Sequence, residues 1–364
     1  MSSLSFPVST DPMIADAVRI ILEGQHPSGA YVASPNFSQY HFGWLRDGSF
    51  VAMAMDAVDE RKSSRAFHRW VAGVVRAHAG DVAVVIAARN EHREPKPEHL
   101  LPTRYELDGQ RETVAEESWP NFQLDGYGTW LFALEQHLGA DDAGPFTDSI
   151  RLVADYLSVC WAMPCYDYWE EFGDRLHTST LAAIAAGLGA AARMLRDQQY
   201  SRVAAAVEDF IRTECVRGGS FVKGPEDDRV DASLISLSTP FALVADDDPV
   251  MVRTVQRIRA ELSSPSGGIR RYVGDTYFGG NPWVLLTAWM GWHLRKAGDV
   301  AGYEQLRDWV RGNVGAQGAL PEQTTTEPQP GAEAYVDEWT RRWGAVADPL
   351  LWSHAKYALM ERGA

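Results

Sequence analysis

Residues 163–195 read MPCYDYWEEFGDRLHTSTLAAIAAGLGAAARML, and the two halves of this stretch decide the architecture. From Ser179 onward, apolar residues recur at three- and four-residue spacing, as at Leu181, Ile184 and Leu188, which is the period of an α-helix. Before it lies a long loop, 163–178, dense in aromatic and charged residues. The same alternation repeats in both directions along the chain. Helical spacing predicts segments near 14–24, 48–58, 63–79, 81–89, 124–138 and 148–161, then 179–195, 201–215, 250–262, 283–297, 303–313 and 347–361. Asp11 and Pro12 supply the cap and first position of the first segment. Strand signals are confined to 103–107 and 269–273. Between the helices run loops near 26–46, 90–123, 163–178, 217–240, 263–282 and 315–346. Loops longer than about 12–15 residues in a compact domain are usually functional or disordered, and these carry Trp, Tyr, Arg, Asp and Glu. The expected fold is all-α: a closed ring of helix pairs whose loops gather at one end. No linker or repeat divides the sequence, so residues 1–364 are expected to form a single domain.

Composition narrows the partners. With 45% hydrophobic and 23% charged residues the 364-residue chain reads as an ordinary globular protein. A net charge of −15 argues against nucleic acid, whose phosphates need a basic surface. The N-terminus lacks the basic and apolar regions of a signal peptide, and no run approaches 18 uninterrupted apolar residues. A cytoplasmic protein without membrane contact is expected, as a monomer or weak oligomer. Cys160, Cys165 and Cys215, an odd count without metal-like spacing, read as reduced buried thiols. The ten histidines form no His-Glu-x-x-His pattern, and His41 and His354 read as hydrogen-bonded structural residues. Nucleotide-binding glycine loops and the Gly-x-Ser-x-Gly motif are missing, so no metal and no cofactor is expected.

The loops hold the chemistry. In Tyr166-Asp-Tyr-Trp-Glu-Glu171, two adjacent carboxylates, Glu170 and Glu171, sit beside three aromatic residues. An apolar setting raises a carboxyl pKa, which a general acid near neutral pH requires; acids at the N-terminus of a helix on a solvated face are the alternative. Glu322, in Leu-Pro-Glu-Gln at 320–323, gains meaning only by pairing. Inversion at a glycosidic bond needs one acid and one base carboxyl about 6.5–9.5 Å apart, and converging loops could bring two distant glutamates together. Arg46 and Asp47 form a cation–carboxylate pair among Tyr40, Phe42 and Trp44, suited either to sugar hydroxyls or to an ion pair at a helix start. Trp119 precedes Asn121, Gln123 and Asp125. The loop from Arg271 to Trp283 is rich in polar and aromatic groups, and its Gly-Gly-Asn-Pro is a turn signal whatever the function.

Together GWLRDGSF (43–50), ESWPNFQLDGYG (117–128), YDYWEE (166–171), DDRVDASLISL (227–237), GGIRRYVGDTYFGGNPW (267–283), LPEQ (320–323) and PLLWSHA (349–355) resemble, in order, glycoside hydrolase family 15, the glucoamylase family. The resemblance runs from about Tyr40 to the C-terminus. It implies an (α/α)6 barrel, the six-hairpin toroid, that cleaves α-glucosides with inversion and releases β-D-glucose from the non-reducing end. By motif, Glu170 would be the general acid and Glu322 the general base, with Tyr40 close to the attacking water. Arg46 and Asp47 would bind the terminal glucose, and Glu171 would face the leaving sugar. Trp44, Trp119, Arg271, Asp275, Phe278 and Trp283 would complete the wall. The family often has two tyrosines where this chain has Tyr277-Phe278; if the second normally holds the phenol of Tyr40, its loss would free that phenol. The length leaves room for the barrel alone, without the extra sandwich or starch-binding modules of many relatives. A small α-glucoside substrate is therefore expected, isomaltose first, then maltose-type α-1,4 ends, glucodextranase-type α-1,6 glucans and trehalose. A binding barrel without turnover would need neither glutamate in its ionisation role.

Overall fold

The computed structural model describes residues 11–112, 119, 121–139 and 143–363. Residues 117, 118 and 120 of the ESWP segment, and the N-terminal residues 1–10, lie outside the described residues. The α-helices are α1 (Pro12–Glu23), α2 (Leu45–Ala57), α3 (Arg61–Ala77), α4 (Ala79–Asn90), α5 (Asp125–Leu138), α6 (Thr147–Cys160) and α7 (Thr178–Leu195). They continue with α8 (Gln198–Glu214), α9 (Pro249–Leu262), α10 (Val284–Lys296), α11 (Val300–Gly312), α12 (Glu333–Trp343) and α13 (Leu351–Arg362). Asp11 caps α1 as its sequence signals, accepting from Met13 N at 3.0 Å with Pro12 in the first turn.

Neighbour packing defines two concentric rings. α2, α5, α7, a six-residue 3₁₀ turn at Ala232–Leu237, α10 and α13 pack in that order, and α13 returns to α2 to close the inner ring. Outside them α3 covers α2, α6 and α8 cover α7, and α9 covers the 3₁₀ turn, while α11 and α1 cover α10 and α13. This is the expected (α/α)6 barrel. Inner helices must be apolar all round, because they face the ring on one side and the outer helices on the other. α7 meets that demand so fully that by length and composition it could cross a membrane, yet 78% of it is buried in the ring. It lies almost in backbone contact with α5: a Cβ at Gly128 would stand 2.3 Å from Ala183 O, and one at Gly187 2.5 Å from Gly128 O. One cluster of buried apolar side chains runs from Ile14 to Met360, and the three cysteines are buried free thiols within it.

Three local expectations differ. The predicted loop 217–240 contains the 3₁₀ turn that fills the fourth inner position, capped by Asp231, which accepts from Ser233 N at 2.8 Å, and closed by Pro240, which has no N–H to extend it. The predicted loop 315–346 contains α12, which the ring does not use. Strand 103–107 is realised as β2 (Arg104–Tyr105), antiparallel to β1 (Gly43–Trp44), and a hairpin joins β3 (Val216–Arg217) to β4 (Ser220–Phe221). No strand forms at 269–273: Ile269 bridges Ser263 and Trp283 while Tyr272 bridges Asp231, so different segments take its backbone and no ladder develops.

Every inner element begins at the same end of the barrel. Arg46 and Asp47 open α2, Asp125 opens α5, Asp231 caps the 3₁₀ turn, Trp283 precedes α10 and Trp352 lies in the first turn of α13. The loops entering these N-termini therefore converge, and the helix dipoles present their positive ends where acidic side chains collect.

Candidate active site

At that end lies a cavity of about 290 Å³. Of the residues singled out from sequence it is lined by Tyr40, Trp44, Arg46, Asp47, Trp119, Glu170, Glu171, Arg271, Trp283 and Glu322. The two glutamates, distant in sequence, thus meet in one pocket. Asp275 and Phe278 do not reach it. Asp275 stands behind the wall and braces Arg271, accepting from its Nε at 2.7 Å and from its Nη2. Phe278, expected in the wall, is fully buried with its ring against Trp339 and Tyr277.

The loop of Glu170 is shaped by Asp167. Its Oδ1 accepts from Trp169 N at 2.9 Å and Glu171 N at 3.0 Å, an Asx-type turn that leaves Glu170 left-handed at φ 59°. Asp167 is fixed in turn by Lys223, whose Nζ lies 2.7 Å from Asp167 Oδ2 and 2.5 Å from Asp231 Oδ2. Asp231 also accepts the indole N–H of Trp169 at 2.9 Å. Glu322 is gripped through its backbone: its N–H donates to Ala347 O at 2.9 Å and its carbonyl accepts from Val284 N at 3.0 Å. The preceding residues are tied to α13, since Leu320 N donates to His354 Nε2 at 3.0 Å and Ser353 Oγ to Pro321 O at 2.8 Å. Burial holds His354 down to about 3, so its ring is neutral and able to accept. His41 is also hydrogen-bonded, to Pro35 O at 2.6 Å.

Electrostatics follow from this enclosure. Burial pushes Glu170 up to about 7 against the nearby Arg46 guanidinium, which holds Oε1 at 3.0 Å. Burial pushes Glu322 up to about 8, opposed by the hydrogen bond from Tyr40 at 3.0 Å and by the charge of Arg271, and the charge of Glu170 adds to the rise. Asp47 is raised to about 6, again by burial first. Arg46 is the hub of the inner end, 3.2 Å from both Asp47 Oδ2 and Asp125 Oδ2 and 3.3 Å from Gln123 Oε1. At the outer end Glu171 accepts from Tyr272 OH at 2.5 Å and lies 3.5 Å from Arg271. Two buried carboxyls that hold protons up to neutral pH can supply one acid and one base to a single bond.

Sequence reading missed part of the lining. Tyr168, Trp169, Tyr277 and Trp352 lay inside quoted motifs but had not been chosen, while Trp339, Arg342 and Trp343 come from the unexpected α12. The signal for that helix was Val336, Trp339 and Trp343 at spacings of three and four. One group among the described residues could hold a metal, Asp56, His68 and His137, with ligand atoms within 4.8 Å of one another. It joins α2, α3 and α5 away from the pocket lining, and His137 Nδ1 already bonds Asp56 Oδ1 at 2.9 Å.

A six-hairpin barrel whose pocket holds two raised carboxyls beside a buried Arg-Asp pair is the equipment of a glycosidase. The sequence pattern of Glycosyl hydrolases family 15 matches residues 8–357, and the chain belongs to that family. It is 39% identical over 351 residues to the isomaltose glucohydrolase of Kribbella flavida, covering 94% of this chain and 89% of the relative. Among solved structures a wild-type glycosidase superposes with a TM-score of 0.91 at 36% identity, covering 97% of this chain and 96% of that one. A bacterial glucoamylase complexed with acarbose shares the fold, with a TM-score of 0.71 at 19% identity over 96% of this chain and 55% of the other.

Proposed function

We propose that the protein hydrolyses isomaltose, releasing β-D-glucose from the non-reducing end with Glu170 as general acid and Glu322 as general base. The observation that carries the reading is the meeting of these two glutamates in one pocket. The buried inner end, with Arg46, Asp47 and Trp352, suits a terminal glucose, since charge-assisted bonds hold hydroxyls and the indole takes the ring face. Glu170 donates its proton to the glycosidic oxygen, which leaves with the departing sugar. Glu322 takes a proton from water attacking the opposite face, with Tyr40 hydrogen-bonded to its carboxylate. Both carboxyls are raised, Glu322 further, so the division of labour rests on the motifs rather than on charge. Preference for the α-1,6 disaccharide draws on the likeness to the Kribbella enzyme and on the small cavity, at the low end of the range of about 300–1,000 Å³ for small-molecule sites.

The test is incubation with isomaltose, maltose, panose and trehalose, following glucose and its first-formed anomer by NMR. β-Glucose released fastest from isomaltose supports the reading. α-Glucose as first product, or no release from any substrate, overturns it.

A further inference from the structure

α12 lies outside both rings, yet it reaches the pocket. It rides on residues 323–346, an excursion closed at its root by the Glu322 N–H bond to Ala347 O. None of its residues is fully buried. Its whole seat is the stripe Val336, Trp339 and Trp343. Val336 fits where Gly279 has no side chain: a Cβ there would stand 2.7 Å from Val336 Cγ2. Trp339 Nε1 donates to Thr276 O at 3.1 Å. Trp343 stacks on Trp119 with centroids 6.0 Å apart and planes at 29°. Trp339 and Trp343 pack against the edge of the core yet stay partly exposed, and exposed aromatic surface of this kind marks a binding face.

What they face is the outer half of the pocket. The inner end is made of buried groups, Arg46 at 4% exposure and Trp352 at 3%. At the outer end Trp339 and Trp343 are half-buried and Arg342 is exposed, and all three line the cavity. The guanidinium of Arg342 stands 5.1 Å from the Trp339 ring centroid and 5.0 Å from that of Trp343. Indole faces accept the C–H side of a pyranose, and a guanidinium held across them offers several N–H donors to its hydroxyls. The indole N–H of Trp343 has no protein partner among the described residues.

We propose that Trp339, Arg342 and Trp343 of α12 seat the leaving sugar and limit the substrate to short glucosides. This rests on the glucosidase reading above and goes beyond it, by giving substrate length to a helix outside the barrel. The inner glucose contacts belong to the rings, so α12 acts only when a second sugar is present.

The experiment compares the parent with Trp343→Ala, Trp343→Phe and Arg342→Ala on two kinds of substrate. One is α-glucosyl fluoride, whose leaving group carries no sugar; the other is whichever disaccharide the parent cuts best, alongside its three- and four-unit homologues. Trp343→Ala is expected to lower kcat/KM on the disaccharide about tenfold, through KM, while the fluoride stays within about twofold. Trp343→Phe recovers part of the loss, Arg342→Ala shows the same split, and the tetramer gains relative to the dimer in the alanine variants. Equal losses on fluoride and disaccharide, or no loss on either, overturn the proposal while leaving the glucosidase reading intact. A parent that releases glucose from no disaccharide overturns both.

Discussion

Tyr277 Oη stands 2.9 Å from Tyr40 Oη, and Tyr40 in turn donates to Glu322 Oε1 at 3.0 Å. The phenol of Tyr40 is therefore held, by the first residue of the Tyr-Phe pair rather than lost with the second. The freed phenol expected from Phe278 does not occur, because Phe278 turns its ring into the core against Trp339. Tyr277→Phe is expected to release Tyr40 and change the shape of the pH–rate profile. Phe278→Tyr should leave the shape alone and lower stability, since a buried hydroxyl without a partner costs about 1–3 kcal/mol. Parallel kcat/KM profiles and urea melts check this; an altered profile in Phe278→Tyr alone would reverse the assignment.

Burial raises Glu170 to about 7 and Glu322 to about 8. Activity needs the base ionised and the acid protonated, so the acid limb follows loss of the base's proton and the alkaline limb loss of the acid's. With both raised, the kcat/KM optimum falls near neutral pH. An optimum below about 5, where unperturbed glutamates titrate, would contradict the enclosure. Glu170→Gln and Glu322→Gln are each expected to lower kcat by about 100- to 10,000-fold with little change in melting temperature.

Lys223 is a buried cation between Asp167 and Asp231. Lys223→Met leaves two carboxylates in the core uncompensated, a loss of about 3–5 kcal/mol by analogy with broken buried ion pairs. It also loosens the turn that places Glu170, so kcat falls in whatever fraction remains folded. The proximity of Lys223 keeps the Asp167 carboxyl below its ordinary range despite burial. This stabilisation is present above the unfolded aspartate value of about 3.9 and fades as pH drops through the lower folded value. Urea denaturation of parent and variant across acid pH tests both statements; the gap should narrow toward the acid end.

Lys356 presents the opposite case. Its ammonium group lies 3.2 Å from the ring centroids of both Phe50 and Trp289, fully buried and without a hydrogen-bond partner among the described residues. Burial drives it far below the usual lysine range. Between the folded and unfolded values the unfolded chain binds one more proton, so this group makes stability rise with pH up to about 10.4. Lys356→Met is expected to gain about 1–3 kcal/mol at pH 7, with the gain shrinking as pH increases. A variant less stable than the parent at pH 7 would show that the lysine has a partner of its own.

The helical ring was legible because the outer helices carry a strong apolar period, while inner ones such as α7 read as long, nearly continuous apolar stretches that include Leu181, Ile184 and Leu188. Its fourth inner member was not, since a six-residue 3₁₀ turn is too short to show a period and depends on the Asp231 cap and the helices around it. Arg46, Glu170 and Glu322 could be named from their motifs. Asp275 and Phe278 sit in the right motif but point away from the cavity, a distinction made by side-chain direction in a turn that linear spacing does not encode. α12 escaped because its period rests on three residues among charges. Trp352 falls inside the last predicted helix, 347–361, where an aromatic residue reads equally well as core.

The bond between Glu322 N and Ala347 O has an evolutionary consequence. It makes 323–346 a cassette: both ends are pinned beside a carboxylate that the barrel holds independently, through Val284 and α13. Such a segment can vary along α12 only while Glu327 and Gln329 keep it tied to the 271–283 loop beneath, through Asn281, Tyr272 and Gly274.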